Sequence, residues 1–382
     1  MSIRNVYKDI TSYETILRAE KHVAAGKQYD PEVLMFRSNY EENIYDLVHL
    51  LRAGEIPPTS YHHFYVHSPK VRKVIYIDYA SKIVQRAIYD IVNPLVCRSL
   101  ITHTYSCIEG RGQLSAMQDL KKWLEYSVAQ GGTWYYYKYD VEKFFYRMDH
   151  DVLMSIVEDW IGDRSTVKLI SHYVTEAPIP FGLPLGLKSP VISQDQMIWD
   201  KGIPIGGGLS HMLANMYLNE LDQKSKRQLR IKPYTRYMDD VVCLSNDKSQ
   251  IHDWRDWTEE YLLSERKLTL NRRTALRPIG QGIEYVGYRI WPKYVTLRKG
   301  TTLRMKRNLS DTVQNYSEGN ISFDRARQTF ASYEAMMSHC DCKELEEKIW
   351  KTYILRKINS NVEEEPWIVN SLYWNLLTSM QT

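Results

Sequence analysis

The spacing of hydrophobic and polar positions changes several times along the chain. Residues 1 to about 55 carry apolar positions in a mixed helical pattern through Leu34, Leu47, Val48, Leu50 and Leu51, closed by Gly54, Pro57 and Pro58. From Tyr61 to Ile77 the pattern shifts toward alternation. Lys70, Arg72 and Lys73 are interleaved with Val71, Val74, Ile75 and Ile77, which predicts a hairpin with a charged face. Helix is expected from Tyr79 to about Leu95 and again over 113–129. Gly131 and Gly132 then interrupt the chain before the aromatic run Trp134 to Tyr139, a strand that delivers Asp140 at its C-terminal end. A helix is expected over 150–175, an irregular Pro- and Gly-rich connection over 176–204, and a helix from Ser210 to about Leu229. Two strands around Asp239 and Asp240 follow, then a helix from about Ser249 to Arg266. Short strands are expected near Leu268 to Asn271 and Ile283 to Ile290, and mostly helix from about Met305.

The acidic residues give this pattern a chemistry. Tyr237, Met238, Asp239 and Asp240 lie between β-branched and aromatic runs, so a tight hairpin turn would present both carboxylates at one edge. A lone Asp-Asp pair is more often a solvated turn, and spacing alone does not bring Asp140 to it. Three carboxylates on neighbouring strand ends suit two hard divalent cations. Two such ions about 3.5–4 Å apart activate an attacking 3′-oxygen and stabilise a leaving pyrophosphate.

With 382 residues and 43% hydrophobic composition, the chain is long enough for two or three packed subdomains. Its five cysteines show no repeated zinc spacing, and Cys340 with Cys342 stands isolated, so a reduced, cytoplasmic protein is expected. No run approaches the roughly 18 apolar residues of a spanning helix, and no membrane role is expected. The net charge of +4 is too small to define a partner. Its distribution says more: Lys224, Lys226, Arg227, Arg230, Lys232 and Arg236 cluster before the acidic turn, and Arg298, Lys299, Arg304, Lys306 and Arg307 cluster after it. Near metal-type carboxylates these clusters favour a phosphate backbone, against the plain alternative of solvated charges.

Asp140 to Phe145 and Tyr237 to Asp240 resemble the two catalytic palm motifs of reverse transcriptases. Other motifs follow in the family's order. Asp78 to Pro94, with Val84, Gln85, Arg86, Ala87 and Ile88, resembles the fingers segment of bacterial retroelement enzymes, and Ser106 to Gly112 the short motif after it. Gly202 to His211 followed by Ala214 to Leu218 resembles the template-positioning turn and helix, and Asn271 to Thr274 and Glu284 to Tyr288 the last two palm motifs. The resemblance implies an α+β right-hand polymerase fold: an N-terminal helical extension (1–58), fingers (59–130), a palm of antiparallel sheet and helices (131–300, with a fingers-type insertion at about 165–204) and a helical thumb (301–382).

The same resemblance implies RNA-directed DNA synthesis with two magnesium ions, manganese being the alternative. Asp140, Asp239, Asp240 and Val141 would hold the metal. Phe145 would stand against the sugar and exclude a 2′-hydroxyl, Lys70, Arg72 and Lys73 would neutralise the triphosphate, and Gly206 and Gly207 would approach the nucleotide. Arg111, Ser210, His211, Tyr237, Met238, Arg273 and Gly287 would meet template or primer. Implied partners are a structured non-coding RNA, the DNA product and deoxynucleoside triphosphates, with an accessory protein or a second copy of the chain also in view.

Some positions depart from the family. Ile205-Gly206 and Ser210-His211 stand where retroviral and group II intron enzymes commonly carry Gln-Gly and Ser-Pro. This is closer to diversity-generating retroelement enzymes, although His211 departs from those too. Arg273 replaces a lysine that can donate a proton, and its high pKa makes it a fixed charge. Antiphage defence is the expected setting and a diversity-generating retroelement the alternative. Two other readings stay open: a template-independent or protein-primed polymerase, and an inactive RNA-binding scaffold.

Overall fold

The computed structural model describes residues 3–67, 71–187, 191–272 and 274–356, which leaves Lys70 and Arg273 outside the described residues. The N-terminal helical pattern forms α1 (Tyr7–Ile10), α2 (Tyr13–Ala24), α3 (Pro31–Ser38) and α4 (Tyr40–Arg52). Side-chain oxygens of Ser12 and Asp30 accept the free amides that open α2 and α3. The hairpin is β1 (Tyr61–Val66) against β2 (Arg72–Ile77), antiparallel, with Tyr61 opposite Ile77. Its two-residue period buries Lys73, Ile75 and Ile77 and leaves Arg72 and Tyr76 exposed.

The chain continues through α5 (Tyr79–Ser99), β3 (Thr104–Tyr105), α6 (Gln113–Ala129), β4 (Tyr135–Asp140), α7 (Phe144–Arg147), α8 (His150–Trp160), α9 (Arg164–Val174) and α10 (Gly208–Arg227). Then come β5 (Tyr234–Tyr237), β6 (Asp240–Ser245), α11 (Lys248–Arg266), β7 (Ala275–Pro278), β8 (Ile283–Tyr285), β9 (Tyr288–Ile290) and β10 (Val295–Leu297). Three helices follow, α12 (Lys299–Ser317), α13 (Phe323–Met337) and α14 (Lys343–Thr352).

Three local expectations change. The single helix over 150–175 is two, because Ile3 pairs with Ile161 and Gly162 donates to the Ile3 carbonyl at 2.9 Å. Asp163 then restarts the helix as a cap and also accepts the Tyr7 amide. The strand near Leu268 to Asn271 is only a bridge between Leu270 and Val141, and the strand itself forms later as β7. The last helical region starts at Lys299, preceded by the unexpected strand β10.

Two compact units form, Met1–Ala116 with Tyr135–Arg277, and Met117–Trp134 with Pro278–Thr382. The first holds a five-stranded sheet in the order β3-β5-β6-β4-β7, in which β6 is antiparallel to both neighbours and β3 runs parallel to β5. Helix α10 is buried almost all round, through Leu209, Met212, Leu213, Met216, Tyr217, Leu218 and Leu221, and packs on α5, α8 and β5. Helix α11 packs on β4 and β6. In the second unit β10, β9 and β8 form an antiparallel sheet, α12 packs on α13, and Phe330 stacks on Trp350 at 5.7 Å.

Candidate active site

Tyr237 pairs with Asp240, so Met238 and Asp239 are the two central residues of the β5–β6 turn. Met238 sits at φ +55°, a left-handed conformation that costs a non-glycine residue about 1–3 kcal/mol unless its surroundings hold it. Directly behind the turn lies Arg236, fully buried, with its Nε and Nη2 on the Asp222 carboxylate at 2.7–2.9 Å. Burial opposes its charge, but Asp222 outweighs burial and raises the guanidinium pKa. Arg236 therefore does not belong to a phosphate-binding cluster.

The expected basic cluster breaks up further: Lys224 bridges to Glu220, and Lys226 donates to the Lys232 carbonyl. Arg227 and Arg230 stay exposed with no carboxylate in ion-pair range among the described residues.

Strand register brings the carboxylates together. Asp140, last on β4, lies directly opposite Asp240, first on β6, so the two side chains share one face of the sheet. Asp239 follows in the turn, hydrogen-bonded to Asp140, and its pKa is driven well above the usual carboxylate range by burial and then by the Asp140 charge. Neighbouring carboxylates of this kind do not ionise together without a positive partner. Two groups temper the charge, Lys138, which sequence reading missed, and Asn271, which it read only as the start of a palm motif. Lys138 reaches Asp240 at 2.5 and 2.6 Å, and Asn271 donates its side-chain amide to Asp140 at 3.1 Å and its backbone amide to the Asp140 carbonyl at 2.7 Å. The signal for Lys138 was its place two residues before Asp140, on the same face of a strand. Among the described residues no three acidic, histidine or cysteine side chains already surround one point at ligating distance.

The family model of the reverse transcriptase (RNA-dependent DNA polymerase) matches residues 66–290, well over half of the chain and all three carboxylates. The chain belongs to the reverse transcriptase family. Its architecture is that family's right-hand polymerase fold. The Protein YkfC of Escherichia coli (strain K12) is 24% identical over 243 residues, 55% of this chain and 60% of that protein. The chain thus spans less than two thirds of that relative. Telomerase structures from Candida tropicalis (TM-score 0.49, 10% identity, 82% of this chain and 66% of that one) and Candida albicans (TM-score 0.46, 11%, 76% and 55%) are also similar, at scores that carry no further argument.

Around these carboxylates, Phe145 on α7 is half-buried, edge-on to the His211 ring at 5.7 Å and to Phe144 at 5.5 Å. Burial lowers the His211 pKa, which favours the neutral imidazole, and the Ser210 hydroxyl is spent on the Pro204 carbonyl at 2.6 Å. Glycines 206–208 lie against the chain's own hairpin and helix α5. A Cβ on Gly206 would meet Val74 at 3.6 Å, on Gly207 Gln85 at 3.3 Å and on Gly208 the Tyr89 ring at 3.2 Å.

Lys73 and Arg72 point to opposite faces of β2. The buried Lys73 ammonium donates to the Met197 sulfur at 3.2 Å, and burial lowers its pKa; Arg72 is exposed. Arg111 folds back onto the Ile101 carbonyl, Tyr237 pairs with Tyr105 across β3, and Val141 is buried. Gly287 belongs to the second unit, in the β8–β9 turn at φ +93°. No helix among the described residues is long and apolar enough to cross a membrane.

Proposed function

We propose that this chain is an RNA-directed DNA polymerase that makes cDNA on a structured non-coding RNA by two-metal nucleotidyl transfer. The observation that carries the reading is the register of Asp140 against Asp240 with Asp239 hydrogen-bonded beside them. The donor set consists of hard carboxylate oxygens, with Asp140 directly opposite Asp240 and the buried Asp239 beside them, so the residues fit magnesium, with manganese as the alternative. Asp140, Asp239 and Asp240 would hold the ions, which supply activation of the 3′-oxygen and charge stabilisation at the phosphates. Lys138 then neutralises Asp240 until it is exchanged. Lys73, a buried ammonium with no carboxylate partner among the described residues, is suited to a triphosphate oxygen better than Arg72 on the opposite face. Residues 59–130, 131–300 and 301–382 are assigned as fingers, palm and thumb.

The decisive test is primer extension with deoxynucleotides on an RNA template by the variant Asp239→Ala/Asp240→Ala. Incorporation is expected to fall below detection while RNA affinity stays within about twofold, because phosphate contacts carry the affinity. Incorporation that survives overturns the assignment. The antiphage setting rests on the His211 departure, and plaque counts on cells with and without the intact gene test it.

A further inference from the structure

The catalytic turn breaks a local rule, since position 238 demands a left-handed backbone and the chain places a methionine there. What holds it lies behind it. Arg236 uses two of its nitrogens on Asp222, and the remaining Nη1 donates to the Met238 carbonyl at 2.9 Å and to Asn215 Oδ1 at 3.2 Å. That carbonyl belongs to the peptide joining Met238 to Asp239, so its orientation fixes the direction in which the Asp239 side chain leaves the turn.

The clamp is anchored on every side. Asp222 also accepts from the Tyr234 hydroxyl at 2.6 Å and the Thr104 hydroxyl at 2.9 Å, and Asn215 donates to the Ser106 carbonyl at 3.2 Å. Ser106 and the adjacent Cys107 are themselves left-handed, at φ +84° and +54°. One buried network from α10 thus secures two of the non-glycine left-handed turns, those at the ends of the parallel strands β3 and β5. A lysine has no fork with which to hold Asp222 and a carbonyl at the same time.

We propose that Arg236, Asp222 and Asn215 are positioning residues that lock the Met238–Asp239 peptide and thereby aim Asp239 at the metal-binding face. The inference rests on the polymerase reading for its chemistry, but the aim of Asp239 is measurable without turnover. A buried ion pair removed as a pair is often tolerated, whereas removal of one partner is not. The test is therefore the double variant Asp222→Asn/Arg236→Met, in which the asparagine still serves Thr104 and Tyr234 while the donor shared by the Met238 carbonyl and Asn215 Oδ1 is lost. Arg236→Lys is the companion that keeps the charge.

Circular dichroism and thermal unfolding verify the fold. Manganese binding, followed by electron paramagnetic resonance, is expected to weaken about tenfold or more in both variants. In primer extension kcat is expected to fall about 100-fold, since a misplacement near 1 Å is enough for that, while KM for the deoxynucleotide and RNA affinity stay within threefold. Folded variants that bind manganese and turn over like the parent overturn the inference. If both variants unfold, Asn215→Leu gives the same readout with the ion pair intact, and parental manganese binding there also overturns it. A parent that binds manganese but incorporates no nucleotide refutes the polymerase reading instead.

Discussion

Phe145 is the single side chain to which we assign sugar selection. It follows Asp140 on the short helix α7, and its ring is held edge-on by His211 and Phe144, so it does not swing aside freely. On this assignment the ring would exclude a 2′-hydroxyl and alanine would admit one. Phe145→Ala is expected to raise ribonucleotide incorporation relative to deoxynucleotide by at least tenfold, measured as the ratio of kcat/KM values, and an unchanged ratio removes Phe145 from this role. The three acids were legible because they stand in ordered motifs that resemble the family's, and strand register then puts Asp140 opposite Asp240. Lys138 and Arg236 were not, because a sequence displays a charge but not its partner. Lys138 meets Asp240 only through the register of β4 on β6, and Arg236 meets Asp222 from another element, 14 residues earlier in the chain. Counting Arg236 among surface cations was the natural result.

Elements followed the sequence wherever a local signal was strong. Gly131 and Gly132 before an aromatic run marked β4, and the helices expected from 150 and from about 249 begin there as α8 and α11. Where a distant segment decided, the pattern failed: Ile3 pairing with Ile161 splits the helix expected over 150–175, and no window around 161 contains that information. The two hairpin turns show the same contrast. Met238 is left-handed and clamped, while Val286 is left-handed at φ +43° beside Gly287, in a turn where both central residues have positive φ. Such turns favour Asn-Gly, and a β-branched residue there is strained. Val286→Asn is therefore expected to stabilise the protein by about 1 kcal/mol, read as a rise of about 2–4 °C in the unfolding midpoint. A fall in Tm would mean that the Val286 side chain contributes more by packing than the turn loses by strain.

At the scale of the whole molecule, the chain order and the spatial order differ. The second unit takes Met117–Trp134 from the middle of the first and joins it to Pro278–Thr382. A sequence read from end to end assigns 59–130 to one body because nothing in the helical pattern of 113–129 tells which core it serves. The consequence is testable. A chain ending at Arg277 keeps Met117, Leu120 and Leu124, all buried in the full protein, but loses most of the unit they belong to. Exposing three such side chains at about 1.5–3 kcal/mol each forfeits an amount comparable to the 5–15 kcal/mol that stabilises a typical domain. The truncated chain is expected to elute from size exclusion as aggregate. The same truncation with 117–134 replaced by a Gly/Ser linker of equal length is expected to be soluble and monodisperse, because the first unit then keeps its sheet and α10 without an uncovered helix. Equal solubility of the two truncations would show that 117–134 finds its cover within the first unit, and would reassign α6 to the body that carries Asp140, Asp239 and Asp240.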